Sequence, residues 1–303
     1  MIRTKDVFTK ICNNGKLGHQ YTDEELAKLH RKLFDMYKDI EAVCKRHNLR
    51  ITLAYGNLIG VLRHGGWIPW DDDLDVIMPR EDYEKLLTEY IDELPEKYKV
   101  YSSFTKSGPR YRFAKMVDTT TKFIPIASED KDDDFQGIFL DIFPLENYPV
   151  GKFTRTIKKY LSYFLSYTAS SVQGYRQDSP EFKELMCHTK EGRNNYYFRK
   201  WWGIAFSWLS DSTWYRLVEK VNKHSKETGL VHVPAASITR FSWKGLPYEL
   251  LFPTVEAPFE NWGTVQIPAN AVKFLEVNYD NWRQLPPEED RARHFVSKID
   301  FGD

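Results

Sequence analysis

The stretch from Ala54 to Arg80, AYGNLIGVLRHGGWIPWDDDLDVIMPR, brings the carboxylates Asp71, Asp72, Asp73 and Asp75 into the start of an apolar run, Val76-Ile77-Met78. A run of that composition reads as a β-strand, in which alternate side chains share a face and i, i+2 carbons lie roughly 6 to 7 Å apart. Asp73 and Asp75 then point the same way, and Asp71 joins them if the extended conformation reaches back that far. Asp72 points away and is read as capping a turn or facing water. Carboxylates crowded on one face repel one another and are expensive to bury, so a hard divalent cation is the natural compensation. Magnesium, or manganese in its place, takes oxygen ligands of this kind and keeps positions for substrate phosphates and water.

An isolated Asp-Asp-Asp is usually a solvated acidic turn. Here Trp67, Ile68, Pro69 and Trp70 precede the acids and the apolar run follows, which favours a site over a surface turn. A further acid, Asp141, sits alone inside the strand-like Gly137-Ile138-Phe139-Leu140-Asp141-Ile142-Phe143-Pro144, where a buried carboxylate needs a partner. A third metal ligand on a neighbouring strand is the economical reading. Two cations lie near in sequence. Lys115, in Phe113-Ala114-Lys115-Met116, is a charge within a strand-like segment that calls for an anionic partner, and Arg63 at the end of a short helix has a fork suited to phosphate. The plain alternative for Arg63 is a helix C-terminal cation, and His64 either orients a phosphate or closes the helix.

These residues carry a family resemblance. Gly56-Asn57 after a strand, then Asp-apolar-Asp-apolar from Asp73 to Val76, then Asp141 between apolar residues, resembles the nucleotidyltransferase superfamily signature, with Gly-Asn standing where Gly-Gly, Gly-Ser or Gly-Thr is usual. More closely, YGNLIGVLRHGGWIPWDDDLDV, FAKMVD and LDIFPLE resemble the LicD family, which includes bacterial phosphorylcholine transferases and is related to the fukutin-type phosphoribitol transferases. FENWGTVQIPANAVKFLEVNYDNWRQLPPEEDR resembles that family's closing segment, so residues 25–150 and 245–295 are covered and the central block is not. The resemblance implies that Asp73, Asp75 and Asp141 hold one or two metal ions, that Gly56 and Asn57 lie at the donor phosphates, and that Lys115 and Arg63 hold phosphate oxygens. It implies transfer of a phospho-substituent, phosphocholine foremost, from a CDP-linked donor to a hydroxyl of a glycan or lipid-linked glycan acceptor, with release of CMP. Asp71 or Asp141 would take the acceptor proton. Phosphoribitol or phosphoglycerol transfer and nucleotidyl transfer from a nucleoside triphosphate remain as alternatives; a non-catalytic binding module is disfavoured because all three acids are present.

Lysine plus arginine equals aspartate plus glutamate at 43 each, so no global charge favours nucleic acid. Cys12, Cys44 and Cys187 are widely spaced and read as small buried hydrophobes rather than a disulfide or zinc framework. MIRTKDVFTK lacks the apolar core of a signal peptide and no run approaches the roughly 20 apolar residues of a membrane span, which predicts a cytoplasmic protein.

Periodicity predicts a helix opening at Thr22-Asp23-Glu24-Glu25 and ending near His47-Asn48, a strand over 50–55, a short helix over 57–64 stopped by Gly65-Gly66, and the acidic strand ended by Pro79. A helix over 81–94 and strands over 99–104, 111–117 and 138–143 follow. The fold class is α+β, a small mixed sheet with flanking helices. Three parts are expected: a nucleotidyltransferase-like core over 1–150, an aromatic-rich helical insertion over 151–230, and a C-terminal segment over 231–303 that completes the core. The insertion has two readings: amphipathic helices resting on the inner face of a membrane, or helices packed on the core. Nine tryptophans and eighteen tyrosines supply material for a quaternary-ammonium cage, and Trp67 and Trp70 read as a pocket floor or a stacking surface for the nucleobase. His294 falls in the terminal family-like segment.

Overall fold

The computed structural model describes residues 19, 21–126, 133–178, 180–236, 242–287, 291 and 294–302. The readings of the N-terminal decapeptide and of Cys12 lie outside the described residues; Cys44 is a buried free thiol and Cys187 a half-buried one.

Helix α1 (Asp23–Arg46) begins with a reciprocal cap, in which the Thr22 hydroxyl accepts the Glu25 N–H and the Glu25 carboxylate accepts the Thr22 N–H. Leu29, Leu33, Met36, Tyr37, Ile40 and Val43 form its buried stripe. β1 (Thr52–Leu53) is shorter than the sequence predicts, because the chain turns into α2 (Tyr55–His64) at Tyr55, whose φ is +46°. A non-glycine residue there is uncommon and marks a constrained turn. α2 stops at Gly65, which takes the left-handed conformation at φ 75°.

β2 (Asp75–Pro79) is followed by α3 (Arg80–Lys85), which widens into a π turn over Leu86–Tyr90 and tightens into a 3-10 turn over Ile91–Glu93, three pieces where periodicity reads one helix. β3 (Tyr98–Tyr101), β4 (Ala114–Asp118), β5 (Lys122–Pro125) and β6 (Ile138–Asn147) follow. The sheet order is β1-β2-β6-β4-β3, with β2 and β6 parallel and the other pairs antiparallel. β6 runs past Pro144, where the sequence reads an end; the last β4 pair is Ala114 with Ile142, so one flank of the strand is free of β4 by the time proline arrives. Its last residues pair instead with β7 (Leu230–His232), which pairs with β8 (Leu246–Pro247).

Between β6 and β7 stand four helices, α4 (Lys152–Arg176), α5 (Pro180–Cys187), α6 (Lys190–Phe206) and α7 (Asp211–Asn222). α4 and α7 share a core in Leu165, Ala169, Val172, Trp214, Tyr215 and Val218, and Leu185 and Met186 of α5 pack on Tyr196 of α6. α4 and α6 meet closely, since a Cβ on Gly203 would lie 2.4 Å from the Ser171 carbonyl oxygen. The C-terminal segment returns to the sheet. The hairpin β9 (Thr254–Phe259) and β10 (Gly263–Pro268) is tied to α1 by the Tyr37 hydroxyl, which accepts the Gln266 N–H at 2.8 Å; α8 (Ala271–Asn278) follows, and β11 (Val296–Asp300) pairs with β5.

The insertion is fastened to the sheet by a buried ion triad. Arg80, the first residue of α3, pairs with Glu146 on β6 and with Glu219 on α7, and its guanidinium lies 5.1 Å from the Tyr83 ring centre. Burial disfavours its charge, but Glu146 and Glu219 outweigh that and raise its pKa. Arg80→Met leaves two buried carboxylates facing each other and should cost about 3–5 kcal/mol in denaturant unfolding; a loss below about 1 kcal/mol would mean the triad is solvated.

Candidate active site

Register builds the site. Parallel pairing sets Asp75 on β2 opposite Asp141 on β6, and antiparallel pairing sets Lys115 on β4 opposite Asp141. Residues directly opposite one another share a face, so an acid, an acid and a lysine stand in a line across three strands. The ladder extends one residue upstream, where the Leu74 carbonyl accepts the Asp141 N–H at 3.0 Å. Burial alternates along the same stretch: Asp71, Asp73 and Asp75 are half-buried whereas Asp72, Leu74 and Val76 are buried. Asp71, Asp73 and Asp75 therefore form a row that meets Asp141.

Backbone braces hold this row. The sequence assigns Asn57 to donor phosphates, but its amide is committed to the acidic strand: Nδ2 donates to the Asp73 carbonyl at 2.9 Å and Oδ1 accepts the Asp75 N–H at 2.7 Å. Gly56 makes room for Asp71, because a Cβ there would lie 2.9 Å from Asp71 Oδ2. The same helix, α2, starts at Ala54 with no side-chain cap, so no capping oxygen takes up the N–H groups of its first turn. A helix start of that kind attracts anions. Burial lowers the pKa of His30, and its Nε2–H donates to the Asp71 carbonyl at 2.8 Å while the ring stacks on Trp67 at 4.4 Å. Trp67 is thus a buried packing residue rather than a pocket floor.

Asp72 corrects the sequence reading. It neither caps a turn nor faces water; it is buried, and accepts the Tyr21 hydroxyl at 3.1 Å, the His294 N–H at 2.9 Å and His294 Nδ1 at 3.0 Å. His294 Nδ1 also lies 4.0 Å from Asp73 Oδ2. Burial works against charge on this ring, but Asp72 and Asp73 prevail and its pKa is raised to about 9. The chain end is in this way strapped beneath the acidic row. Sequence reasoning had a hint in the terminal family-like segment, yet a bond across 222 positions has no local signal.

The electrostatics are those of an under-neutralised acidic site. Burial raises the pKa of Asp71, Asp73 and Asp75, and their neighbouring carboxylates add to the rise. Burial lowers that of Lys115, whose Nζ sits 2.7 Å from Asp141 Oδ1 and 3.0 Å from the Phe139 ring centre. Among the described residues, no three His, Cys, Asp or Glu side chains already surround a point ready for a metal ion. Magnesium needs no such cage, being bound through one or two carboxylates plus substrate phosphates and waters. Four carboxylates on one face, Asp71, Asp73, Asp75 and Asp141, with a single lysine among them have the hard-oxygen chemistry that fits a divalent ion.

Arg63 is employed elsewhere. Its Nη1 donates to the Trp282 carbonyl at 2.7 Å and the Gln284 carbonyl at 3.1 Å, and its Nε donates to His64 Nε2 at 3.0 Å, so it ties α2 to the C-terminal segment. Trp70 carries the Arg291 guanidinium over its ring at 4.3 Å. A cation that sequence reasoning missed is Arg112, three residues before Lys115. It is half-buried, burial lowers its pKa, and the groups acting on its charge are Tyr215 and Tyr163 rather than a carboxylate.

Residues 48–173 match the family model described as LicD/FKTN/FKRP, nucleotidyltransferase domain. The lipopolysaccharide cholinephosphotransferase LicD of Haemophilus influenzae is 35% identical over 267 residues, which span 85% of this chain and 91% of that one. The chain belongs to the LicD family. It is accordingly a LicD-like transferase. An uncharacterized protein of Rickettsia typhi is 26% identical over 158 residues, 46% of this chain and 50% of its own. A second, from Rickettsia prowazekii, is 38% identical over 50 residues, 16% of this chain and 19% of its own.

A raised carboxylate pKa means that the ionised form is disfavoured in the folded state, so at neutral pH, well above the unfolded value, the row costs stability. Asp75→Asn should therefore stabilise the metal-free protein by about 0.5–2 kcal/mol. Thermal unfolding in EDTA checks this; a lower melting temperature for the variant would show that Asp75 is already neutralised within the chain.

Proposed function

We propose that this LicD-family transferase moves phosphocholine from CDP-choline to a hydroxyl of a lipopolysaccharide-type glycan and releases CMP. The observation that carries the reading is the register that lines up Asp75, Asp141 and Lys115 across β2, β6 and β4, with Asp73 and Asp71 continuing the row. The relative whose name specifies lipopolysaccharide cholinephosphotransfer supports the head group and the acceptor class.

Asp73, Asp75 and Asp141 would hold magnesium or manganese. When bound, the ion supplies Lewis-acid polarisation of the donor diphosphate and offsets charge on the leaving CMP. Lys115, beside Asp141, presents its ammonium to donor phosphate oxygens. The start of α2, opened by Gly56 and locked by Asn57, receives phosphate on its N–H groups. The acceptor hydroxyl attacks the phosphorus distal to the nucleoside, the bond from that phosphorus to the CMP oxygen breaks, and Asp71 accepts the hydroxyl proton. Asp71 suits that role because burial and its acidic neighbours raise its pKa. Nucleotide-activated donors place this reaction on the cytoplasmic side.

Calorimetric titration of CDP-choline should show binding with magnesium that vanishes in excess EDTA. Asp75→Asn should cut turnover on the order of 10²–10³-fold without unfolding the protein. Binding of CDP-ribitol or CDP-glycerol but not CDP-choline would overturn the head group and keep the chemistry, whereas pyrophosphate release from a nucleoside triphosphate would replace the reaction class.

A further inference from the structure

The insertion is built inside out. The buried positions of α4 are Ser162, Leu165, Ser166, Thr168, Ala169, Ser171 and Val172, four of them hydroxylated. Its exposed positions include Phe153, Ile157, Tyr160, Leu161 and Phe164, which fall within about 100° of one another around the helix. One of the buried hydroxyls bridges helices, Thr168 accepting the Trp202 indole N–H at 3.1 Å, and the half-buried Ser170 beside it accepts from Arg199 at 3.0 Å. α6 repeats the inversion. It buries Gly192, Tyr196 and Gly203 and exposes Tyr197, Phe198, Trp201 and Ile204, with Trp208 just beyond its end. The half-buried rings of Trp202 and Tyr167 link the two stripes, Trp202 meeting Phe164 at 6.0 Å and Tyr167 meeting Phe198 at 6.3 Å.

Twelve of the sixteen large hydrophobics exposed among the described residues lie between 150 and 208, with Phe153 at 79%, Trp208 at 69% and Trp201 at 68% exposure. Single exposed hydrophobics need no explanation, but a contiguous set marks an interaction surface. Charge identifies the occupant. The chain as a whole balances 43 cations against 43 anions. α4 and α6 together carry nine cations against the single acid Glu191; Arg176 pairs with Asp211, Lys200 with Asp178 and Arg199 packs on Tyr167, and the others are Lys152, Arg155, Lys158, Lys159, Lys190 and Arg193. On α6, Lys190, Arg193, Tyr197, Trp201 and Ile204 recur at spacings of three and four, so one helical face grades from basic to aromatic. Bulky aromatics beside Lys and Arg are the composition of helices lying in a lipid interface, and among the described residues no helix is long and apolar enough to cross a membrane.

We propose that the paired stripes of α4 and α6 lay the protein flat on an anionic bilayer, with the exposed aromatics entering the headgroup region and the basic residues meeting lipid phosphates. This rests on the reading above in one respect, since a lipid-borne acceptor gives docking its use. The Arg80 triad that fastens α7 to the sheet would hold the active site at a fixed height over the lipid surface.

Flotation of the full chain with vesicles reads docking without turnover. Vesicles of phosphatidylcholine with 30% phosphatidylglycerol should carry the protein upward at low salt, and pure phosphatidylcholine vesicles several-fold less. The triple variant Phe153→Ser, Trp201→Ser, Trp208→Ser should lose flotation at least tenfold while its thermal unfolding and its binding of CDP-choline stay unchanged. Asp75→Asn should float as the wild type does, which separates this inference from the fate of the proposed reaction. Absence of the wild-type chain from anionic vesicles, or flotation of the triple variant at the wild-type level, would overturn it. So would a wild-type dimer that the triple variant converts to monomer, which would assign the face to a second copy of the chain.

Discussion

Parallel pairing of β2 with β6 is the interaction on which the rest depends, because it sets Asp75 against Asp141 and so concentrates carboxylates where a folded chain would ordinarily keep them apart. Among the described residues, little neutralises the row. Lys115 meets Asp141, and the cationic His294 is held chiefly by Asp72 one position off the row. The scaffold instead fixes the backbone from which the acids project, through the Asn57 amide on Asp73 and Asp75, the His30 ring on the Asp71 carbonyl and the missing side chain of Gly56. Holding donors rigidly while leaving their charge unsatisfied is how a protein stores affinity for a cation, at a cost in metal-free stability.

Three cores divide the labour. The largest joins α1, the sheet and the C-terminal hairpin, another joins α4 with α7 around Trp214 and Val218, and a small third sets Leu185 and Met186 of α5 against Tyr196 of α6. Arg80 reaches across the boundary, with a buried glutamate from each side. The triad thereby ties the insertion to the strands that carry the acidic row.

Much of this arrangement was legible locally. The alternation of Asp71, Asp73 and Asp75 is a pattern of period two, and Asp141 and Lys115 each stand out as a charge in an apolar strand; the register between strands then brings them to one face. The cap of α1 and the Gly65 stop of α2 are equally local. What escaped was contact between distant segments. Asp72 looks like a surface acid until His294 arrives beneath it, and Arg63 looks like a phosphate fork until the Trp282 and Gln284 carbonyls claim it. Asn57 lay in the right motif, but whether an amide meets ligand or backbone depends on a strand 16 residues away. The aromatic helices were ambiguous for a related reason: periodicity shows that a face exists, and packing alone decides whether it is covered.

The most direct test of the central claim is anomalous scattering from crystals grown with manganese and CDP. The account predicts a manganese peak bounded by Asp73, Asp75 and Asp141, bridged to the nucleotide diphosphate. A nucleotide bound with no anomalous peak at those carboxylates, or a peak at a different cluster, would contradict it.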